Sequence, residues 1–284
     1  MRHDTRDSLR RQQGLSLVEL LVALVIASIL ILGVTQVYID NKRNYLFREN
    51  QSSNLENSRY VALLLDNYLG KAGYRRAPDH EMEDAFPAAS YTDCKDFTKG
   101  SAITGLKDGD LGFCIRYQPQ FNGELDCQGD TVASFDDAPF KSVASDKLVV
   151  LAFRYVAGDE LHGGSLECKS LNNSAPQFTE LVRGIADFRM EFGIGNNDLG
   201  EKKLKDADRF IAAASWQPTS GVIRAVRYSL LLASEENQRD GDSQLFNDWL
   251  AAADSTAKTR LLAGDQRRIY QVANATLIMR NLMP

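Results

Sequence analysis

The sequence predicts an α+β fold, one long N-terminal helix packed against an antiparallel β-sheet head, and three observations carry that reading. The apolar residues of this 284-residue chain are concentrated near its N-terminus in one unbroken block. No proline occurs before Pro78, and after Gly33 no glycine occurs before Gly70, so helix geometry can continue well past the block. Beyond it, short runs of β-branched and aromatic residues alternate with turn-rich segments. A composition of 44% hydrophobic and 25% charged residues is that of a folded chain, which excludes wholesale disorder.

The first element is a leader. Residues 1–14, MRHDTRDSLRRQQG, are short, polar and net positive, with Arg10 and Arg11 just before Gly14. Residues 15–39, LSLVELLVALVIASILILGVTQVYI, follow as an apolar stretch long enough to span a bilayer core as a helix. Arginines before the stretch and none within it place the N-terminus in the cytoplasm and the body outside. A removable secretory signal would show a shorter apolar core and a small-residue cleavage site. Here the core runs on through Val34, Val37, Tyr38 and Ile39 into a polar helix. Within the span, Glu19 is the sole side chain charged at neutral pH. A carboxylate in hydrocarbon costs a few kcal/mol and marks a functional partner, unless it lies at the membrane boundary and reaches water. Position alone does not separate these two readings.

The second element is the rest of that helix. Leu55, Ala62, Leu65 and Leu69, with Val61 and Leu64 beside them, keep a helical stripe through a polar background. Gly70 and Gly73 are stop signals. A helix from Ser16 to Leu69 would be about 80 Å long at 1.5 Å per residue. The expected division is therefore a leader at 1–14, a membrane half at 15–39, a head-packed half at 40–70 and a β-rich head at 71–284.

In the head, strands are expected at Gly112–Tyr117, Lys147–Val156, Phe178–Phe192, Gly221–Ala233 and Arg267–Arg280. FNGELDCQGD and GIGNNDLGE read as turns. Residues 242–263 look helical and polar, a surface insertion. All four cysteines (Cys94, Cys114, Cys127 and Cys168) lie beyond the apolar block, and none forms a C-x-x-C pair. With three histidines in the chain, a structural zinc is disfavoured. An even count in an exported domain suggests two disulfides, with three possible pairings.

Other chemistries find little support. The net charge of −5 becomes more negative once the leader, with four arginines and two aspartates, is set aside. An acidic body repels phosphate backbones, which argues against a nucleic-acid partner. His162-Gly163-Gly164-Ser165 has the look of an oxyanion loop, but no G-x-S-x-G elbow supplies a nucleophile, and a Gly-rich turn is the better reading. Gly193-Ile194-Gly195 follows a strand, yet Asp198 stands where a dinucleotide fingerprint needs its third glycine. Asn196, Asn197, Asp198 and Glu201 lack a calcium-loop pattern, as do Asp108 and Asp110. Residues 201–209 read as an exposed charged face. No enzyme activity, cofactor or metal is expected.

Gly14-Leu15-Ser16-Leu17-Val18-Glu19 resembles the class III signal motif of type IV prepilins: basic leader, glycine, hydrophobic first mature residue, and glutamate five residues after the glycine. The resemblance implies that prepilin peptidase cleaves between Gly14 and Leu15 and N-methylates Leu15. It also implies that Glu19 meets the N-terminal amine of a neighbouring subunit inside a filament. A buried ammonium beside a buried glutamate relieves the isolation of both charges. Leu69–Arg76 (LGKAGYRR), Leu181–Gly193 (LVRGIADFRMEFG) and the terminal RRIYQVANATLIMRN resemble the PilW family of minor pilins, with J-type minor pseudopilins of type II secretion close behind. Major pilins usually carry a proline in the membrane half; its absence here is shared by many minor pilins. The family resemblance, through DCQG and SLEC, implies the pairings Cys127–Cys168 and Cys94–Cys114.

On this reading the chain is a pilin-like minor pilin that helps initiate type IV pilus assembly at or near the tip. Its place is the inner membrane of a Gram-negative bacterium, with a periplasmic head, and then the extracellular pilus. Its partners are prepilin peptidase, other minor pilins, the major pilin, the inner-membrane assembly platform and a tip adhesin. The alternatives are a minor pseudopilin of a type II secretion or competence filament and, in another class, a signal-anchored periplasmic binding module or hydrolase.

Overall fold

The computed structural model describes residues 16–107, 109–173, 176–195 and 207–282. The chain forms two units, Met1–Arg48 and Glu49–Pro284. Helix α1, Leu17–Lys71, supplies the described helix of the first unit and begins the second. In the first unit its apolar side chains are exposed from Leu17 to Val37. The helix ladder opens with the Leu20 N–H donating to the Ser16 carbonyl at 3.1 Å. The Ser28 hydroxyl donates to the Val25 carbonyl at 2.8 Å, so Ser28 needs no water.

Within the second unit, α1 buries Asn54, Ser58, Val61, Leu64, Leu65 and Leu69, the three-and-four spacing of one helical face. The Asn54 amide donates to the Ile269 carbonyl at 3.0 Å, and the Ser58 hydroxyl to the Leu55 carbonyl at 2.8 Å, so the polar members of the stripe are satisfied. The helix stops where Gly73 adopts φ +73° and its N–H donates to the Arg116 carbonyl at 3.0 Å. A Cβ there would lie 2.6 Å from Leu282 Cδ2, so glycine is needed for space as well as for backbone angle.

A one-turn helix, α2 (Met82–Ala85), precedes the first of two antiparallel sheets. The five-stranded sheet runs β1 (Ile103–Gly105), β2 (Gly112–Tyr117), β3 (Val149–Val156), β4 (Ser165–Ser170) and β5 (Thr179–Arg183), each beside its predecessor. The four-stranded sheet contains β6 (Ile185–Gly195), β7 (Arg209–Ala212), β8 (Val222–Ala233) and β9 (Tyr270–Ile278), ordered β7-β6-β8-β9. Helices α3 (Gln244–Ala251) and α4 (Ser255–Gly264) join β8 to β9.

Alternation along the strands assigns the faces. Val149, Leu151 and Phe153 of β3 meet Phe188, Met190 and Phe192 of β6 and the α1 stripe in one large core. Val150 and Ala152 face the other way, into a smaller cluster with Phe86, Phe97 and Leu148. Leu231 and Ala233 of β8 form a third cluster with Phe246, Trp249 and Leu261.

The α+β class with a long helix and an antiparallel head is what the sequence predicts, but three details differ. Phe178–Phe192 is two strands in two sheets. Gly184, at φ +97°, breaks it, and the N–H groups of Gly184 and Ile185 both donate to the Gly164 carbonyl at 3.0 Å. Strands β1, β4 and β7 lie outside the predicted set, being short or, like SLECKS in β4, rich in polar residues. Residues 242–263 form no polar insertion. Ser243 and Asp254 cap two helices whose Phe246, Trp249, Leu250 and Leu261 are buried on β8 and β9.

Candidate functional site

The residues with a predicted role fall in two places, the start of α1 and the cystine-bearing loops of the head. Gly14 and Leu15 lie outside the described residues. Glu19 stands in the first turn of α1, where the unpaired N–H groups and the helix dipole favour an acid. Its side chain is exposed, and among the described residues it has no hydrogen-bond or ion-pair partner. For more than four turns beyond it the helix presents apolar side chains on every face; Gly33 adds no side chain and its Cβ position meets nothing. A helix apolar all round belongs in lipid or in a bundle of like helices. Polarity returns at Gln36, whose amide donates to Asp40 Oδ1 at 3.1 Å, one turn on. The geometry thus offers one unpaired acid at the head of an apolar rod.

In the head, Cys94 is bonded to Cys114 and Cys127 to Cys168, with Cα–Cα distances of 6.0 and 6.3 Å. The two bonds lie on opposite faces of the five-stranded sheet. Cys114 on β2 faces the smaller cluster, while Cys168 on β4 faces the large core. Each pins a long loop to its face. The loop after Tyr117 is held further by the Lys71 ammonium, 2.8 Å from Glu124 Oε1, which ties it to the last turn of α1. Arg76 donates to the carbonyls of Gln120, Asp137 and Ala138 along the same loop.

Among the buried charged groups that escaped the sequence reading, two tie together distant parts of the head. Arg116, on β2, is fully buried and donates to the carbonyls of Ser101, Pro87, Phe86 and Thr98, with its guanidinium 4.6 Å from the Phe97 ring centroid. Burial pushes it down to about 10, so it remains cationic at neutral pH. Asp187, on β6, accepts from Trp249 Nε1 at 2.8 Å and from Arg260 at 2.6 Å. Burial pushes its carboxyl up, against the opposing pull of those donors. Both groups bind pieces of the head together. No local motif announces them, because their partners are backbone carbonyls or residues 62 and 73 positions away.

The enzyme-like motifs have structural explanations where they are described. Gly164 of the His162–Ser165 turn packs against β6: a Cβ on it would lie 2.2 Å from the Ile185 carbonyl oxygen. Gly193 sits inside β6, with Ala207, Ala225 and Phe210 about 3 Å from where a Cβ would be. Asp110 closes a turn through its N–H to the Lys107 carbonyl. Asp108, Asn196, Asn197, Asp198 and Glu201, with most of the 201–209 run, lie outside the described residues. Among the described residues, one cleft of about 170 Å³ lies beside Asp126 and Ser170 and another of about 320 Å³ beside Lys99 and Trp216. In neither, among the described residues, does a hydroxyl bond a histidine or carboxylate.

Comparison with known proteins matches both ends of the chain. A family described as "Type IV Pilus-assembly protein W" matches residues 154–281, and a family described as "Prokaryotic N-terminal methylation motif" matches residues 9–35. The first spans β4 to β9 and the last residues of β3; the second spans Gly14, Leu15, Glu19 and the apolar rod. No curated protein matches. Among solved structures, a type IV-like pilin, TTHA1219 from Thermus thermophilus, superposes with a TM-score of 0.38 at 12% identity, over 81% of this chain and 98% of that one. That superposition is too loose to transfer any residue. With a methylation motif matched at one end and a PilW region at the other, the chain is similar over those residues to type IV pilin-like proteins and to the PilW family of minor pilins.

Proposed function

We propose that this chain is a membrane-anchored filament subunit that helps initiate type IV pilus assembly and sits at or near the tip. The observation that carries the reading is the lone, unpartnered Glu19 at the head of an apolar helix, inside a matched methylation motif. Prepilin peptidase cuts between Gly14 and Leu15 and methylates the new amine. Residues 15–39 hold the subunit in the inner membrane of a Gram-negative cell, residues 40–70 run along the head, and residues 71–284 form the periplasmic head. In the filament, Glu19 receives the Leu15 ammonium of a neighbouring subunit, and each charge offsets the other's burial. Other minor pilins, the major pilin and the assembly platform are the partners, with a tip adhesin at the exposed end. The role is structural, not catalytic.

The test is the mature N-terminus. Intact-mass and N-terminal analysis should find a chain beginning at a methylated Leu15, and Gly14→Val should leave the leader attached. A wild-type protein that keeps residues 1–14 overturns the reading.

A further inference from the structure

Among the described residues four strands stand at sheet edges, and three are guarded. An edge strand exposes a row of unpaired N–H and C=O groups, which folded proteins blunt by shortness, charge, bulges or cover. Strand β1 has three residues, all buried, and the N–H of Lys95 covers its Gly105 carbonyl. Strand β5 carries Glu180 and Arg183 and meets β4 across a register shift at Leu166/Glu167. Strand β7 has four residues and begins on Arg209.

Strand β9 has none of these devices. Its nine residues, YQVANATLI, include no charge, proline or glycine, and it pairs with β8 in unbroken register from Tyr270 to Ile278. The Ile269 carbonyl accepts from the Ser234 N–H just past β8, and the Met279 N–H donates to the Arg224 carbonyl on β8, so by the two-residue period the odd-numbered positions face β8. The N–H and C=O groups of Tyr270, Val272, Asn274, Thr276 and Ile278 therefore point away from the sheet. Among the described residues none has a backbone partner, and one bond, 3.4 Å from the Gln271 amide to the Val272 carbonyl, touches the row. Asn274, Thr276 and Ile278 are exposed, Ile278 at 57%.

We infer that the free edge of β9 is a strand-addition surface, filled in the assembled state by an extended segment of a different polypeptide. Main-chain bonds would supply the affinity, and side chains set against Asn274, Thr276 and Ile278 the selectivity, so the fitting segment is uncharged and proline-free. A second copy fits poorly. Its other edges are the three guarded ones, and β9 against β9 pairs antiparallel at a twofold contact. Strand β9 runs in the direction of α1: Ile269 lies by Asn54, and the Asn281 amide reaches the Gly70 carbonyl at 2.8 Å. Two chains so paired present the starts of their Glu49–Lys71 segments to opposite sides, whereas chains anchored in one membrane present them to the same side. This exclusion rests on the membrane-anchored reading above.

The test places a photo-crosslinking phenylalanine derivative at Thr276 of the full-length chain in its producing cells, with Arg209 on β7 as the control site. The expected result is an adduct with a different chain, mapped by mass spectrometry to one extended segment, whose contact moves two residues when the probe moves to Asn274 or Ile278. Asn274→Pro removes an outward N–H and no ladder bond, and should lower the adduct about tenfold or more. If that variant does not accumulate, Asn274→Lys guards the edge by charge alone. An adduct of two copies of this chain, a yield no higher than at Arg209, or indifference to both substitutions overturns the inference. An uncut leader with the adduct retained removes the pilin reading and leaves the edge; a methylated Leu15 with no adduct removes the edge alone.

Discussion

Glu19 and Arg116 show why one unusual charge was legible in the sequence and another was not. Glu19 is legible because its context is local: one acid in an apolar run is conspicuous whatever the fold. Arg116 sits in GFCIRY, where alternation gives no hint that the guanidinium will be fully buried under four carbonyls. Its partners come from loops that only the fold brings near. Glu19→Ala removes a polar group from lipid, so membrane insertion should be unchanged or slightly easier. Lateral docking should fail, since a neighbour's Leu15 ammonium would enter the filament without a counter-charge, a loss of several kcal/mol if buried. Glu19→Asp, with the same charge on a shorter arm, should fall between. Counting filaments by electron microscopy beside immunoblots of membrane fractions checks this. Normal piliation by the alanine variant would reduce Glu19 to a tolerated boundary residue.

At the level of elements, the α3–α4 hairpin shows how a helical stretch can read as polar and still be core. Trp249 lies over the Arg189 guanidinium at 4.0 Å and donates to buried Asp187, while Phe246 stacks on Tyr270 with centroids 4.4 Å apart. Trp249→Ala should destabilise by about 3–5 kcal/mol, the usual cost of a large aromatic lost from a core. Limited proteolysis should then cut between Ser243 and Gly264 well before it cuts β6 or β8; simultaneous cleavage everywhere would mean that the hairpin and sheet are one cooperative unit. Long elements were legible: the two stop glycines place the end of α1 within two residues, and β2 matches its predicted bounds. The break at Gly184 was not, because a glycine between two apolar runs is equally consistent with a bulge in one strand. What decides for two strands is the pair of bonds to the Gly164 carbonyl, twenty residues earlier.

Across the whole molecule, the covalent links are unevenly placed. Both cystines brace the five-stranded sheet, one on each face, whereas the four-stranded sheet relies on the α1 stripe, the hairpin and the Asp187 network. The pairings were implied by family resemblance alone, since residue spacing left all three connectivities open. Closing loops of 20 and 41 residues restricts the unfolded chain by roughly 3 and 4 kcal/mol respectively. Together these are of the order of a typical domain's entire stability. The head should therefore be marginal wherever thiols stay reduced and stable where they are oxidised, which suits the proposed delivery of the head across a membrane. Urea unfolding of the full-length protein in detergent, with and without reductant, should show a large drop in midpoint on reduction. The paired replacements Cys127→Ser with Cys168→Ser should cost more than Cys94→Ser with Cys114→Ser, because the longer loop regains more freedom. The reverse order, with native packing otherwise intact, would mean that the Cys94–Cys114 bond matters through the cluster of Phe86, Phe97 and Leu148 it anchors and not through loop closure.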